Sequence, residues 1–130
     1  MKSIEVVAAI IILRDEILCL QRGENKFDYI SNKFEFPGGK MEAGESKEET
    51  IIREISEELN MNIEVQEEFM TVTHQYPDFI ITMHSFICKC KSPSLTLTEH
   101  ISYRWLKKNE LEDLDWAAAD IPIMRKLLIK

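Results

Sequence analysis

The chain has 130 residues, 45% hydrophobic and 30% charged, which is one ordinary domain's length with enough apolar material for a single core. Sixteen Lys and Arg against 23 Asp and Glu leave a net charge of -7, so no basic surface exists at the whole-chain level to hold a nucleic acid polymer by counterion release. The longest apolar run, Val6 to Leu13, is far shorter than the roughly 20 residues of a membrane helix. Only Lys2 precedes it as a basic residue and Arg14-Asp15-Glu16 follows, so neither a membrane anchor nor a secretory leader is expected and the expected compartment is the cytoplasm.

Two apolar runs, Glu5 to Leu13 and Ile17 to Gln21, are separated by Arg14-Asp15-Glu16 and predict two buried strands joined as a hairpin. Gly23 to Lys33 is polar and without period, a loop before a short strand at Phe34 to Phe36. Pro37-Gly38-Gly39 then breaks the strand. Ser46-Lys47-Glu48-Glu49 is a capping box, and a helix follows from about Lys47 to Leu59 with Ile51, Ile52, Ile55 and Leu59 as its apolar side. Asn60 should end it, because Asn tolerates the left-handed conformation of a helix terminus. Ile63 to His74 and Phe79 to Lys89 are strands joined by the turn Gln75-Tyr76-Pro77-Asp78, Tyr103 to Leu106 is another, and Ile121 to Ile129 is a helix with Pro122 in its first turn. The three cysteines, Cys19, Cys88 and Cys90, are too few and scattered for a disulfide scaffold, and Cys88 and Cys90, alternating within a strand-like run, share a face and read as small apolar fillers. The order of strands, helix, strands, helix suggests a mixed sheet with helices on its faces.

On the Lys47 to Leu59 helix, Glu54, Glu57 and Glu58 fall within an arc of about 100° beside the apolar stripe. Arg53 is the one base placed to relieve their repulsion. Clustered carboxylates attract hard divalent ions such as Mg2+ or Mn2+, and no His or Cys nearby suggests zinc. Immediately upstream, Gly38-Gly39 lets the backbone approach a neighbour closely, and Lys40 adds a phosphate-seeking charge.

The spacing Gly39, five residues, Glu45, seven residues, Arg53-Glu54-Ile55-Ser56-Glu57-Glu58-Leu59-Asn60-Met61 resembles the Nudix box, Gly-x5-Glu-x7-Arg-Glu-U-x-Glu-Glu-x-Gly-U with U aliphatic. The departure is Asn60 in place of the last Gly, a residue able to take the same conformation. The resemblance implies an α+β fold, an α/β/α sandwich with a mixed sheet flanked by helices, as a single domain over residues 1–130. It implies metal-assisted attack of water on a diphosphate linkage, with Mg2+ or Mn2+ held by Glu54, Glu57, Glu58 and the Gly38 carbonyl, Arg53 orienting the glutamates and Glu45 bracing the loop. Glu99, six residues before Trp105, matches the place where MutT-like members carry a loop glutamate for metal binding or base catalysis, which leaves Glu54, Glu57 and Glu99 open as the general base.

Phe34 to Lys40 and Leu114 to Pro122 are similar to MutT-type nucleoside triphosphate pyrophosphohydrolases. By that resemblance Arg22 and Lys40 hold substrate, Tyr76 and Phe79 line a nucleoside pocket or pack in the core, and Asp120 reads the base. An ionised carboxylate pairs with the N1-H and amino group of a guanine, as in 8-oxo-dGTP, or takes one bond from a cytosine amino group. The alternative reading is a pyrophosphatase for ADP-ribose or another nucleoside diphosphate sugar. A non-catalytic sensor domain would be expected to have lost a metal-binding glutamate, and here all are present. His74 and His100 are left without a role, and a monomer and a homodimer are equally compatible with the sequence.

Overall fold

The computed structural model describes residues 1–129. Strand β1, Lys2–Leu13, turns into β2, Glu16–Gln21, through Arg14 at φ 51° and Asp15 at φ 68°. Two consecutive left-handed residues make the mirror-image turn whose twist matches a hairpin. After the loop come β3, Phe34–Glu35, β4, Gly38–Lys40, and helix α1, Lys47–Leu59. The second half holds β5, Glu64–Gln75, β6, Phe79–Lys89, β7, Ser102–Leu106, and helix α2, Ile121–Leu128, with short 3-10 turns at Lys108–Asp113 and Ala118–Asp120.

The seven strands form one mixed sheet. β1 runs parallel to β6 from the Lys2 and Phe79 pair to that of Ile12 and Lys89, and β6 pairs antiparallel with β5. The other edge of β1 is shared, by β4 along Val6 to Ala8 and by β2 at Ile12 and Leu13. β2 then carries β3 and β7. Alternate residues of β1 and β2 enter opposite cores. Val7, Ala9, Ile11, Leu18 and Leu20 pack with Ile51, Ile55 and Leu59 of α1, while Val6, Ala8, Ile10, Ile17 and Cys19 pack with Ile123, Met124 and Leu127 of α2. Burial on both faces is the reason these strands read as unbroken apolar runs.

Most expected elements are present, with informative differences. β1 begins at Lys2 rather than Glu5 because pairing with β6 continues to Phe79. The expected strand at Phe34 to Phe36 stops at Glu35, and the break expected at Gly38-Gly39 is itself a strand. Ile52 is 48% exposed, since one residue's 100° rotation takes it off the line shared by Ile51, Ile55 and Leu59. Cys88 and Cys90 both belong to the α1-side core, while Cys19 lies in the other. Burial holds the thiols of Cys19 and Cys88 up at about 12, which suits fillers.

Candidate active site

Helix α1 is set by its ends. Glu49 N donates to Ser46 Oγ at 3.1 Å and Ser46 N to Glu49 Oε1 at 2.9 Å, closing the capping box, and Asn60 at φ 53° donates its N-H to Ser56 O. The buried line Ile51, Ile55, Leu59 fixes the helix rotation, so Glu54, Glu57 and Glu58 emerge along the edge where β4 approaches.

Close contact requires Gly38 against the backbone of β1, and a side chain at Gly39 would push the Glu54 carboxylate aside. A Cβ on Gly38 would lie 1.9 Å from the Val7 carbonyl oxygen, and one on Gly39 would lie 2.3 Å from the Glu54 carboxyl carbon. A strand without side chains thus brings its backbone against both the sheet and the glutamate helix.

Arg53 gathers the acids around itself. Its Nε donates to Glu45 Oε2 at 2.6 Å and Nη2 to Glu45 Oε1 at 2.9 Å, while Nη1 reaches Glu54 Oε1 at 3.0 Å and Glu57 Oε1 at 3.4 Å. Glu45 also accepts from Thr50 Oγ1 and from Glu42 N, which ties the loop before α1 to the helix. The hydrogen bond from Arg53 is the chief reason the Glu45 carboxyl is held down at about 2.

Glu58 is in the opposite condition. Its Oε2 is buried and has no hydrogen-bond partner. Burial, then the neighbouring Glu54 carboxylate, then the charges of Glu99 and Glu35 push its acid up to about 8. Among the described residues no three His, Cys, Asp or Glu side chains stand together at ligand distance; the Arg53 guanidinium takes up part of the carboxylate charge instead. An orphaned, partly buried carboxylate oxygen beside the Glu54, Glu99 and Glu35 carboxylates fits a hard divalent cation.

These groups open on a cleft of about 630 Å³ lined by Arg22, Gly38, Lys40, Arg53, Glu54, Glu57, Glu58 and Glu99. Eight residues from four separate segments, singled out in the sequence, therefore meet at one place. Two further lining groups, Glu35 and His100, were not assigned roles from sequence; they are distinguished by their mutual contact, 65 residues apart in the chain, and by the bond from Arg22 to Glu35.

The three expected nucleoside residues are not in this cleft. Asp120 is 1% exposed, and its Oδ1 accepts from Phe36 N at 3.0 Å, satisfying the N-H left when β3 ends. Tyr76 is buried and its hydroxyl accepts from Ala119 N at 3.0 Å. Phe79 and Tyr29 stand against Tyr76, with Tyr29 stacked on it at 5.0 Å between centroids and bonded through its hydroxyl to Asp78. Burial first, then the Glu35 charge, raise the acid of Asp120 well above the ordinary carboxylate range.

Residues 6–126 match the sequence model of the NUDIX domain. The chain is 33% identical over 128 residues to the CTP pyrophosphohydrolase of Escherichia coli K12, covering 98% of this chain and 93% of that protein. It is 28% identical over 128 residues to the 8-oxo-dGTP diphosphatase of the same organism, covering 98% of each. The solved MutT protein of methicillin-resistant Staphylococcus aureus 252 is 39% identical and superposes with a TM-score of 0.76, over 99% of this chain and 98% of that one. A family match over nearly all of the sequence, with relatives that correspond end to end, makes this chain a member of the Nudix hydrolase family.

Proposed function

We propose that the chain, as a single domain over residues 1–130, hydrolyses a nucleoside triphosphate to the monophosphate and pyrophosphate, with Mg2+ or Mn2+ held by Glu54, Glu57, Glu58, Glu99 and the Gly38 carbonyl. The observation that carries this reading is the unpartnered Glu58 oxygen in the lining of the glutamate cleft. When bound, the ion would screen the polyphosphate charge and polarise the attacked phosphoryl group. The chain's own residues supply the rest. Arg22 and Lys40 offer cations to the phosphates, and Arg53 keeps Glu54 and Glu57 turned toward the cleft. Glu54, Glu57 or Glu99 takes the proton as water oxygen bonds to phosphorus and one anhydride P–O bond breaks, releasing pyrophosphate.

By the resemblance, base selection is proposed for Asp120 with Tyr76 and Phe79, which in the structure lie outside the glutamate cleft, Asp120 and Tyr76 buried. Burial raises the Asp120 acid; an ionised carboxylate accepts from the N1-H and amino group of guanine or takes one bond from a cytosine amino group, whereas a protonated one donates to cytosine N3 while accepting from the cytosine amino group. The likeness to a CTP pyrophosphohydrolase supports a cytidine nucleotide, CTP, dCTP or a 5-substituted form, and the likeness to an 8-oxo-dGTP diphosphatase supports 8-oxo-dGTP as the competing substrate. Turnover of these nucleotides, the ordinary (d)NTPs and ADP-ribose is to be compared with separate detection of pyrophosphate and orthophosphate. Pyrophosphate release with a cytidine nucleotide preferred is expected. Orthophosphate alone, or turnover of ADP-ribose alone, refutes the reading.

A further inference from the structure

Glu35 stands opposite Leu20 in the β2–β3 register, so its side chain leaves the sheet on the α1 face, beside the cleft. Its two oxygens are divided between two partners. Oε1 accepts from Arg22 Nε at 2.9 Å and Oε2 from His100 Nε2 at 2.8 Å. The His100 side chain is 8% exposed, whereas that of Arg22 is 43% exposed. Pairing with Arg22 alone would satisfy the Glu35 charge, and the second contact therefore calls for its own explanation.

His100 closes the segment that carries Glu99, a stretch with no strand or helix of its own. On its near side Thr96 N donates to Leu59 O at 2.9 Å and Thr98 Oγ1 donates to Glu58 O at 3.0 Å, both at the end of α1. On its far side stands the bond from His100 to Glu35, followed by Ile101 N to Gln21 O at 3.0 Å. Glu99 is thus suspended between the helix wall and the sheet wall of the cleft.

We propose that Glu35 and His100 are positioning residues: one carboxylate aims Arg22 into the cleft with one oxygen and, through His100, holds the Glu99 segment with the other. Charge-assisted bonds to a carboxylate with both oxygens committed fix its rotation, and with it the separation between the cation on one side of the cleft and the carboxylate on the other. This rests on the assignment of Glu99 to the reaction in the proposed function.

The test combines amide hydrogen exchange on the metal-free protein with steady-state kinetics of nucleoside triphosphate hydrolysis in Mg2+, for H100A, H100Q, E35Q, E99A and H100A/E99A, each first verified as folded by thermal melting. H100A is expected to speed exchange at the amides of Thr96 to Ile101 and to lower kcat by about tenfold or more, a typical loss for a group that orients a ligand, with KM within about twofold. H100Q, which still donates to Glu35, recovers most of that loss. H100A/E99A is no slower than E99A, because a residue that acts through Glu99 has nothing to position once Glu99 is gone. E35Q raises KM as well, since Arg22 loses its anionic partner. H100A at the wild-type rate while E99A is slow overturns the inference alone, as does a loss that multiplies with that of E99A. E99A at the full rate refutes the role of Glu99 and the inference together.

Discussion

Replacing Glu58 with Gln removes a carboxylate that the metal-free protein ionises only at a cost. Between its ordinary 4.5 and about 8, the folded chain holds a proton at this site that the unfolded chain releases, so wild-type stability falls as pH rises through that window. At about 1.4 kcal/mol per pH unit, a dry site would lose about 5 kcal/mol by pH 8. Glu58 is only partly shielded, and discounting by half for solvent screening leaves about 2 kcal/mol. For a chain of this size that amounts to about 8 °C in Tm. In EDTA at pH 8, E58Q should therefore melt about 8 °C above the wild type, and at pH 4 the two should coincide. Adding Mg2+ at pH 8 should raise the wild-type Tm and move E58Q less, because an ion that binds the folded state stabilises it by mass action. Calorimetry or circular dichroism melts at the two pH values decide the matter. Equal melting at pH 8 in EDTA, or the same gap at both pH values, refutes the account of Glu58 as a buried acid awaiting a cation.

Glu57→Gln should lower nucleotide turnover by at least about 100-fold with the melting temperature nearly unchanged, since Glu57 is bonded by its side chain to Arg53 through long contacts and faces the cleft; full activity at saturating Mg2+ would remove it from the ion site. Asp120→Asn keeps an oxygen for the Phe36 N-H but loses an acid whose raised folded-state pKa costs stability as pH climbs above the ordinary carboxylate range. Urea unfolding should show D120N gaining on the wild type between pH 4 and pH 7, and a gain that does not grow with pH would count against this. At the hairpin, R14N/D15G places residues that favour positive φ where both positions already have it, and should add about 1 kcal/mol in urea unfolding. A loss of stability there would mean that the Arg14 and Asp15 side chains contribute more than the strain they carry.

Short-range features were legible because their causes lie within a few residues. The Ser46 to Glu49 box, the Ile51, Ile55, Leu59 line and the left-handed Asn60 are properties of one segment, and they suffice to place Glu54, Glu57 and Glu58 on one side of a helix. The spacing from Gly39 to Met61 carried the family for the same reason. The strand at Gly38 to Lys40 was not legible, because two glycines read as a break until the β1 edge that pairs with them is in place. The parallel pairing of β1 with β6 likewise joins residues more than 70 apart, and no local pattern encodes it.

The sequence by itself determined the helix, its caps, its row of glutamates and a glycine pair able to approach a neighbour closely, since periodicity and backbone preference act locally. Only the tertiary structure decided that Glu58 Oε2 lacks a hydrogen-bond partner, that Glu35 joins Arg22 to His100, and that Asp120 lies buried holding the Phe36 N-H. Burial and hydrogen bonding depend on which distant segments share a space. The same carboxylate is an ordinary surface acid, a brace or an unpartnered buried group according to what the rest of the chain places around it.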